Sequence, residues 1–226
     1  MLIGSSMNTN AIATSCFKDS TSLTNFSEMK NVSNGRKAII VRQNTIANVA
    51  QVSAAVRAAL FQTAALSVAR LGTLVEPAFT GLNAFLADTP ASSGIMILEY
   101  VAHSAVADIR RLAAPAALGG AVLSRGVEEH AGFGTQSARA TSDTVAAYRA
   151  VLGCELTAAV RALRMQDRVP AAGGPLRWAY DLAGAVLEPG TADRPLDSDL
   201  VAVQRVLDGF AMMDTAPETD TPTESR

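Results

Sequence analysis

Cysteine is scarce: Cys16 and Cys154 are the two in 226 residues, and no CxxC pairing exists, which excludes a disulfide framework and a zinc ribbon. Cys154 falls inside a helical pattern, where a small thiol reads as a buried apolar residue, and the scarcity fits a reducing, cytoplasmic setting. Aromatics make up 5% of the chain and Trp178 is the single tryptophan. Ala, Leu and Val therefore supply the apolar mass, which favours closely approaching helices over sheets stiffened by branched and aromatic side chains. An excess of one charge is missing too. The 19 basic and 21 acidic residues give a net charge of −2 and are spread along the chain, which leaves no electrostatic footprint for nucleic acid or an anionic membrane. No apolar run reaches the roughly 20 residues of a bilayer-spanning helix, because Arg57, Arg70, Asp108, Arg149 and Glu155 interrupt each one, and no basic-then-apolar leader opens the sequence. Gly119-Gly120 and Gly173-Gly174 lack the GxGxxG spacing and the preceding strand of a dinucleotide site and read as loop glycines. No fixed-period repeat points to a solenoid.

What is present reads as an all-α bundle. With 49% hydrophobic and 18% charged residues the chain is long enough for one domain with a substantial core. Residues 1–36 are dominated by Ser, Thr and Asn and read either as irregular, partly disordered chain or as the cut end of something larger. The helical domain is expected over residues 37–211, and an acidic tail over 212–226 reads as disordered. Within the domain, residues 37–42 (KAIIVR) form a β-like patch. From about Ala47, Val49, Val52, Val56, Leu60, Ala64, Val68 and Leu71 keep an apolar stripe until Pro77 stops the helix. The connection over 77–93 turns Phe79, Leu82, Phe85 and Leu86 inward. Helices are expected over about 94–112, 135–164, 176–187 and 197–210, separated by Pro and Gly breaks, the last with Asp197 or Ser198 as its N-cap.

Between the second and third of these stripes sits Glu128-Glu129-His130. Such a cluster beside buried helices is costly to hold unless its charge is used, by a ligand or by the helix start that follows it. Glu99 and His103 share a helix face at i, i+4, but no second ligand pair completes a coordination set, so no metal is expected. Arg110, Arg111, Arg139, Arg149, Arg161 and Arg164 read as a solvated or intersubunit face.

Several blocks in sequence carry a resemblance. SVARLGTLVEPAFTGLNAFL (residues 67–86), SSGIMILEYVAHSAVADIR (92–110), SRGVEEHAGFGTQSARA (124–140) and RPLDSDLVAVQRVL (194–207) follow one another in the order and spacing seen in the aromatic amino acid ammonia-lyases and aminomutases. From about residue 42 to 210 the chain resembles the C-terminal part of that family, which contains histidine, phenylalanine and tyrosine ammonia-lyases. The resemblance implies a helical fold whose long helices assemble into a homotetramer, with active sites lined by more than one subunit. It implies elimination, or migration, of the α-amino group of a small amino acid substrate. It places Glu128 as the pocket carboxylate near the substrate amine, with Glu129 and His130 supporting that helix start. Asn44 stands where the family has a substrate-bordering Phe, and Phe133 is a candidate substrate wall.

The family also uses an electrophilic methylidene-imidazolone made from its own Ala-Ser-Gly, and a loop Tyr as base. Both belong to the family's N-terminal half, and this chain has no counterpart to either. Ala91-Ser92-Ser93-Gly94 carries an extra serine and sits at a helix start, so it is not expected to form the electrophile and no cofactor is expected in this chain. On this reading the chain is a fragment, a split-gene subunit that needs a separate N-terminal half, or a decayed paralogue, inactive alone. The alternative is a non-catalytic helical oligomerisation module.

Overall fold

The computed structural model of the chain describes residues 32–119 and 133–210. The described residues form six α-helices and two short 3₁₀ turns, with no strand among them: α1 (Val32–Val75), α2 (Pro77–Thr80), α3 (Met96–Leu112), α4 (Gly134–Met165), α5 (Pro175–Val186) and α6 (Asp197–Phe210). The all-α expectation holds. The β-like patch at 37–42 does not, because α1 begins at Val32 and runs through it. With no neighbouring strand to take up its N–H and C=O groups, that apolar run satisfies them within the helix instead. Residues 32–36, expected to be irregular, open the same helix; residues 1–31 and the acidic tail lie outside the described residues.

At 44 residues α1 is about 66 Å long at a rise of 1.5 Å per residue, and it packs lengthwise against α4 and α3. The shared core is built from Leu60, Ala64, Val68 and Leu71 of α1, Leu98, Ala102, Ala105 and Ile109 of α3, and Tyr148, Val151, Cys154 and Ala158 of α4. The alanines among these facing positions are what lets the three backbones approach closely. Each large aliphatic side chain buried here contributes about 1.5–3 kcal/mol relative to exposure. A second, smaller core forms where Val160 of α4, Ala183 of α5 and Val203 of α6 meet.

The inward face of α1 differs from the expected stripe in its first half. Val49 and Val52 are exposed, while Ala47, Ala50, Ala54 and Arg57 are buried. The β-branched residues carried the apolar pattern in the sequence, but the small ones carry the contact. Phe79 also lies outside, 73% exposed, whereas Leu86 is fully buried. Pro77 sits at the first position of α2, where its missing N–H costs nothing.

The segment Ile46–Val75 is long and apolar enough to cross a bilayer by length and composition, with a mean hydropathy of 1.4, so Arg57 and Arg70 do not interrupt it as expected. Its polar side chains are nevertheless tied to the other helices. Ser67 and Arg70 both donate to the Glu155 carboxylate of α4, and Arg57 is buried among the ends of α3 and α4. In this fold the segment is the core helix.

The start of α3 is fixed by a tight approach. Gly94 has φ +55, and a side chain there would place its Cβ 2.3 Å from the carbonyl oxygen of Phe85. Phe85 and Leu86 themselves adopt φ of 56 and 51, a conformation non-glycine residues hold only when the surroundings impose it. Ile95 N–H donates to Phe85 O at 2.9 Å, and Arg161 Nε donates to Leu86 O at 2.9 Å.

Candidate functional site

The two edges of the connection that carries Glu128, Glu129 and His130 lie at one end of the three-helix core. Glu128, Glu129 and His130 lie outside the described residues, in the connection over 120–132 between α3 and α4. Both edges of that connection are described. On the α4 side Phe133 is half-buried, precedes the helix with φ 45, and lies against Gly119 on the other edge. Gly134 follows it, and a Cβ there would come 2.8 Å from Ile46 Cγ2 of α1, so the helix backbone meets α1 with no room for a side chain. Asn44 lies on α1, two residues before Ile46. Its side chain is not among those described, but its stretch of helix is the one against which α4 begins.

The group that organises this end is one the sequence pattern did not flag as a site residue. Arg57 is 0% exposed. Its Nε donates to Leu112 O at 2.6 Å and its Nη2 to Ala114 O at 3.3 Å, both at the C-terminal end of α3. Its Nη1 donates to Ser137 O and Ser137 Oγ, each at 3.2 Å, and to Thr141 Oγ1 at 2.9 Å, all in the first two turns of α4. Ser137 Oγ in turn donates to Ala50 O at 3.3 Å, and Thr141 Oγ1 to Ser137 O at 2.9 Å. Every one of these acceptors is neutral. Burial accordingly lowers the Arg57 pKa from its usual arginine value, with the carbonyls at the end of α3 supplying the compensating negative potential. A signal was available: Arg57 stands in register with Ala50, Ala54 and Ala64, the face that proves to be inward.

The arginines expected on a solvated or intersubunit face divide in two. Arg110, Arg111 and Arg139 are exposed. Arg149, Arg161 and Arg164 are instead internal ties: Arg149 donates to Gln204 O and to Asp208 at 2.7 Å on α6, Arg161 to Leu86 O, Gly190 O and Thr191 O, and Arg164 to Gly184 O at 2.7 Å and to the Leu187 and Glu188 carbonyls. Carbonyls left open at a helix end are natural acceptors for a guanidinium fork, which a count of charges along the chain does not reveal. Glu99 is half-buried and His103 exposed on α3, and among the described residues no group of three or more His, Cys, Asp or Glu is placed to hold a metal.

The near match to an Ala-Ser-Gly precursor is a structural turn. Ser93 N–H and Gly94 N–H each donate at 2.8 Å to the two oxygens of Asp193, and Gly94 is wedged against Phe85 and Ala87. Those N–H groups and that backbone are committed to starting α3.

The family described as Aromatic amino acid lyase matches residues 36–184, a span that takes in α1 from its second turn, α3, the 120–132 connection, α4 and most of α5. Among relatives, the histidine ammonia-lyase of Stigmatella aurantiaca is 33% identical over 156 residues, 69% of this chain and 30% of that protein. The histidine ammonia-lyase of Geobacillus kaustophilus is 34% identical over 147 residues, 64% of this chain and 29% of that protein. The chain thus spans about three-tenths of the length of these curated relatives. In fold it is similar to the crystal structure of histidine ammonia-lyase from Trypanosoma cruzi, with a TM-score of 0.68 at 22% identity, covering 79% of this chain and 38% of that one. It is similar also to tyrosine aminomutase from Streptomyces globisporus, with a TM-score of 0.69 at 22% identity, covering 77% of this chain and 34% of that one.

Proposed function

Because this chain belongs to the aromatic amino acid lyase family, we propose that it supplies the helical wall of an ammonia-lyase or aminomutase site, acting on the α-amino group of an amino acid. The observation that carries this reading is the convergence of α1, the end of α3 and the start of α4 around the two edges of the connection holding Glu128. In that role Glu128 faces the substrate ammonium, favours its charged form, and takes up or returns a proton at the nitrogen. Phe133 and the α1 stretch around Asn44 border the side chain of the substrate, and Glu129 and His130 hold the start of α4. Asn44 in place of a ring leaves that border more polar.

The electrophile is not supplied by Ala91-Ser92-Ser93-Gly94, and we place its source outside these 226 residues. The chain by itself is then inactive toward its substrate. Assembly into a homotetramer, with a site shared between chains, accords with the exposed apolar residues Val49, Val52 and Leu66 of α1 and Ile97 and Tyr100 of α3.

The test is co-expression of the chain with the Ala-Ser-Gly-containing remainder of a histidine ammonia-lyase relative, followed by assay of ammonia release from histidine, phenylalanine and tyrosine. Turnover that needs both polypeptides supports the proposal. A stable complex of the two with no turnover on any amino acid contradicts it and favours the second reading, a helical oligomerisation module, to which the same exposed apolar faces would belong.

A further inference from the structure

We propose that Arg57 is a positioning residue whose guanidinium ties the end of α3 to the start of α4, and so holds the two points between which residues 120–132, with Glu128, are strung. The role assigned to Glu128 rests on the function proposed above; the tie itself does not.

Three features separate Arg57 from an ordinary buried polar residue. It is wholly enclosed, yet none of its partners among the described residues is a carboxylate; a buried cation without an anionic partner is kept only where several well-placed acceptors compensate it. Its donors are also divided between two elements, with Nε and Nη2 on Leu112 and Ala114 and Nη1 on Ser137 and Thr141. One planar group therefore spans the connection's entry and exit and fixes their relative placement, which a flexible ammonium with three donors on one atom does less rigidly. The acceptors, finally, are themselves held: Ser137 Oγ is anchored to α1 through Ala50 O, and the Phe133 ring closes against Gly119 across the same gap. Removing the guanidinium leaves the core contacts of Leu60, Leu98 and Tyr148 in place and releases the two ends from each other.

The test is hydrogen–deuterium exchange on the full chain, comparing Arg57→Met and Arg57→Lys with the parent, in peptides covering 112–119 and 133–141 against peptides from α5. The tie predicts that Arg57→Met speeds exchange at both edges on the order of tenfold to a hundredfold, with α5 nearly unchanged, and that Arg57→Lys restores part of the protection. Exchange that rises equally in all peptides, or at neither edge, overturns the proposal, as does failure of the lysine variant to restore anything. Should Arg57→Met fail to fold, Thr141→Val removes one acceptor at nearly constant shape. Faster exchange confined to the edges then supports the tie, and uniform or unchanged exchange overturns it. Exchange is read without turnover, so absence of ammonia release bears on the proposed function and leaves this result standing.

Discussion

At Arg161 a buried guanidinium donates to Leu86, Gly190 and Thr191, and the first of these contacts pins the left-handed backbone at Phe85 and Leu86. Desolvation, then the neighbouring Arg194 charge, lowers its pKa from the usual arginine value, so the contacts must offset a real burial cost. Since hydrogen bonds to a charged group are worth roughly 1.5–3 kcal/mol each, Arg161→Met should destabilise the fold by about 2–4 kcal/mol in thermal or denaturant unfolding. An effect within 0.5 kcal/mol, the range of an ordinary surface change, would return it to the solvated face. Glu128→Gln, in the active assembly, should cut turnover by about 10² to 10⁴ while keeping the thermal midpoint; a lowered midpoint with unchanged turnover would make it a helix-start acid only. Burial pushes the Cys154 thiol up to about 12, so in a Cys16→Ser background it should stay unreactive toward thiol reagents until the chain unfolds. Residues were the hardest level to read from sequence. Arg57 and Arg161 fall in the same charge count as Arg110 and Arg139, and only the positions of distant open carbonyls, at a helix end for Arg57 and in turns for Arg161, distinguish them.

Elements were more legible, because periodicity and breakers are local. The helices expected over 94–112, 135–164, 176–187 and 197–210 are found as Met96–Leu112, Gly134–Met165, Pro175–Val186 and Asp197–Phe210. Capping by a residue a hundred positions away was not legible. Asp193 accepts the Ser93 and Gly94 N–H groups ahead of α3, and these two hydrogen bonds lower its pKa from the ordinary value of 3.8. A carboxylate with a depressed folded-state pKa adds stability that is fully present above the unfolded value and is lost as pH falls through the folded one. The thermal midpoint of the parent chain should therefore lie above that of Asp193→Asn near neutral pH, and the two should converge below about pH 4. A constant gap down to the lowest pH at which both fold would show that the charge of Asp193 is not what starts α3. The patch at 37–42 shows the opposite failure of local reading: Ile39, Ile40 and Val41 favour a strand, but without a partner strand the helix of Val32–Val75 absorbs them.

At the scale of the molecule, α1 and α3 leave Val52, Leu66, Ile97 and Tyr100 exposed, and an open groove of about 630 Å³ lies between α3 and α4, lined in part by Tyr100, Ser104, Asp108, Asp143 and Ala147. A second copy of the chain is the expected cover, so sedimentation at micromolar concentration should show an oligomer, and a well-folded monomer would count against it. Family and fold were legible in the order of the sequence blocks, since those blocks carry helix starts and ends together with the breakers between them. How the end of α3 and the start of α4 are tied to α1 was not, because it depends on Arg57 and Ala50, whose partners are more than fifty residues away. The central claim is that these residues build the wall of a lyase site and do not supply its electrophile. The most direct measurement is ammonia release by the purified chain alone from histidine, phenylalanine and tyrosine. The account predicts none; turnover that co-purifies with the chain and is abolished by Glu128→Gln would contradict it.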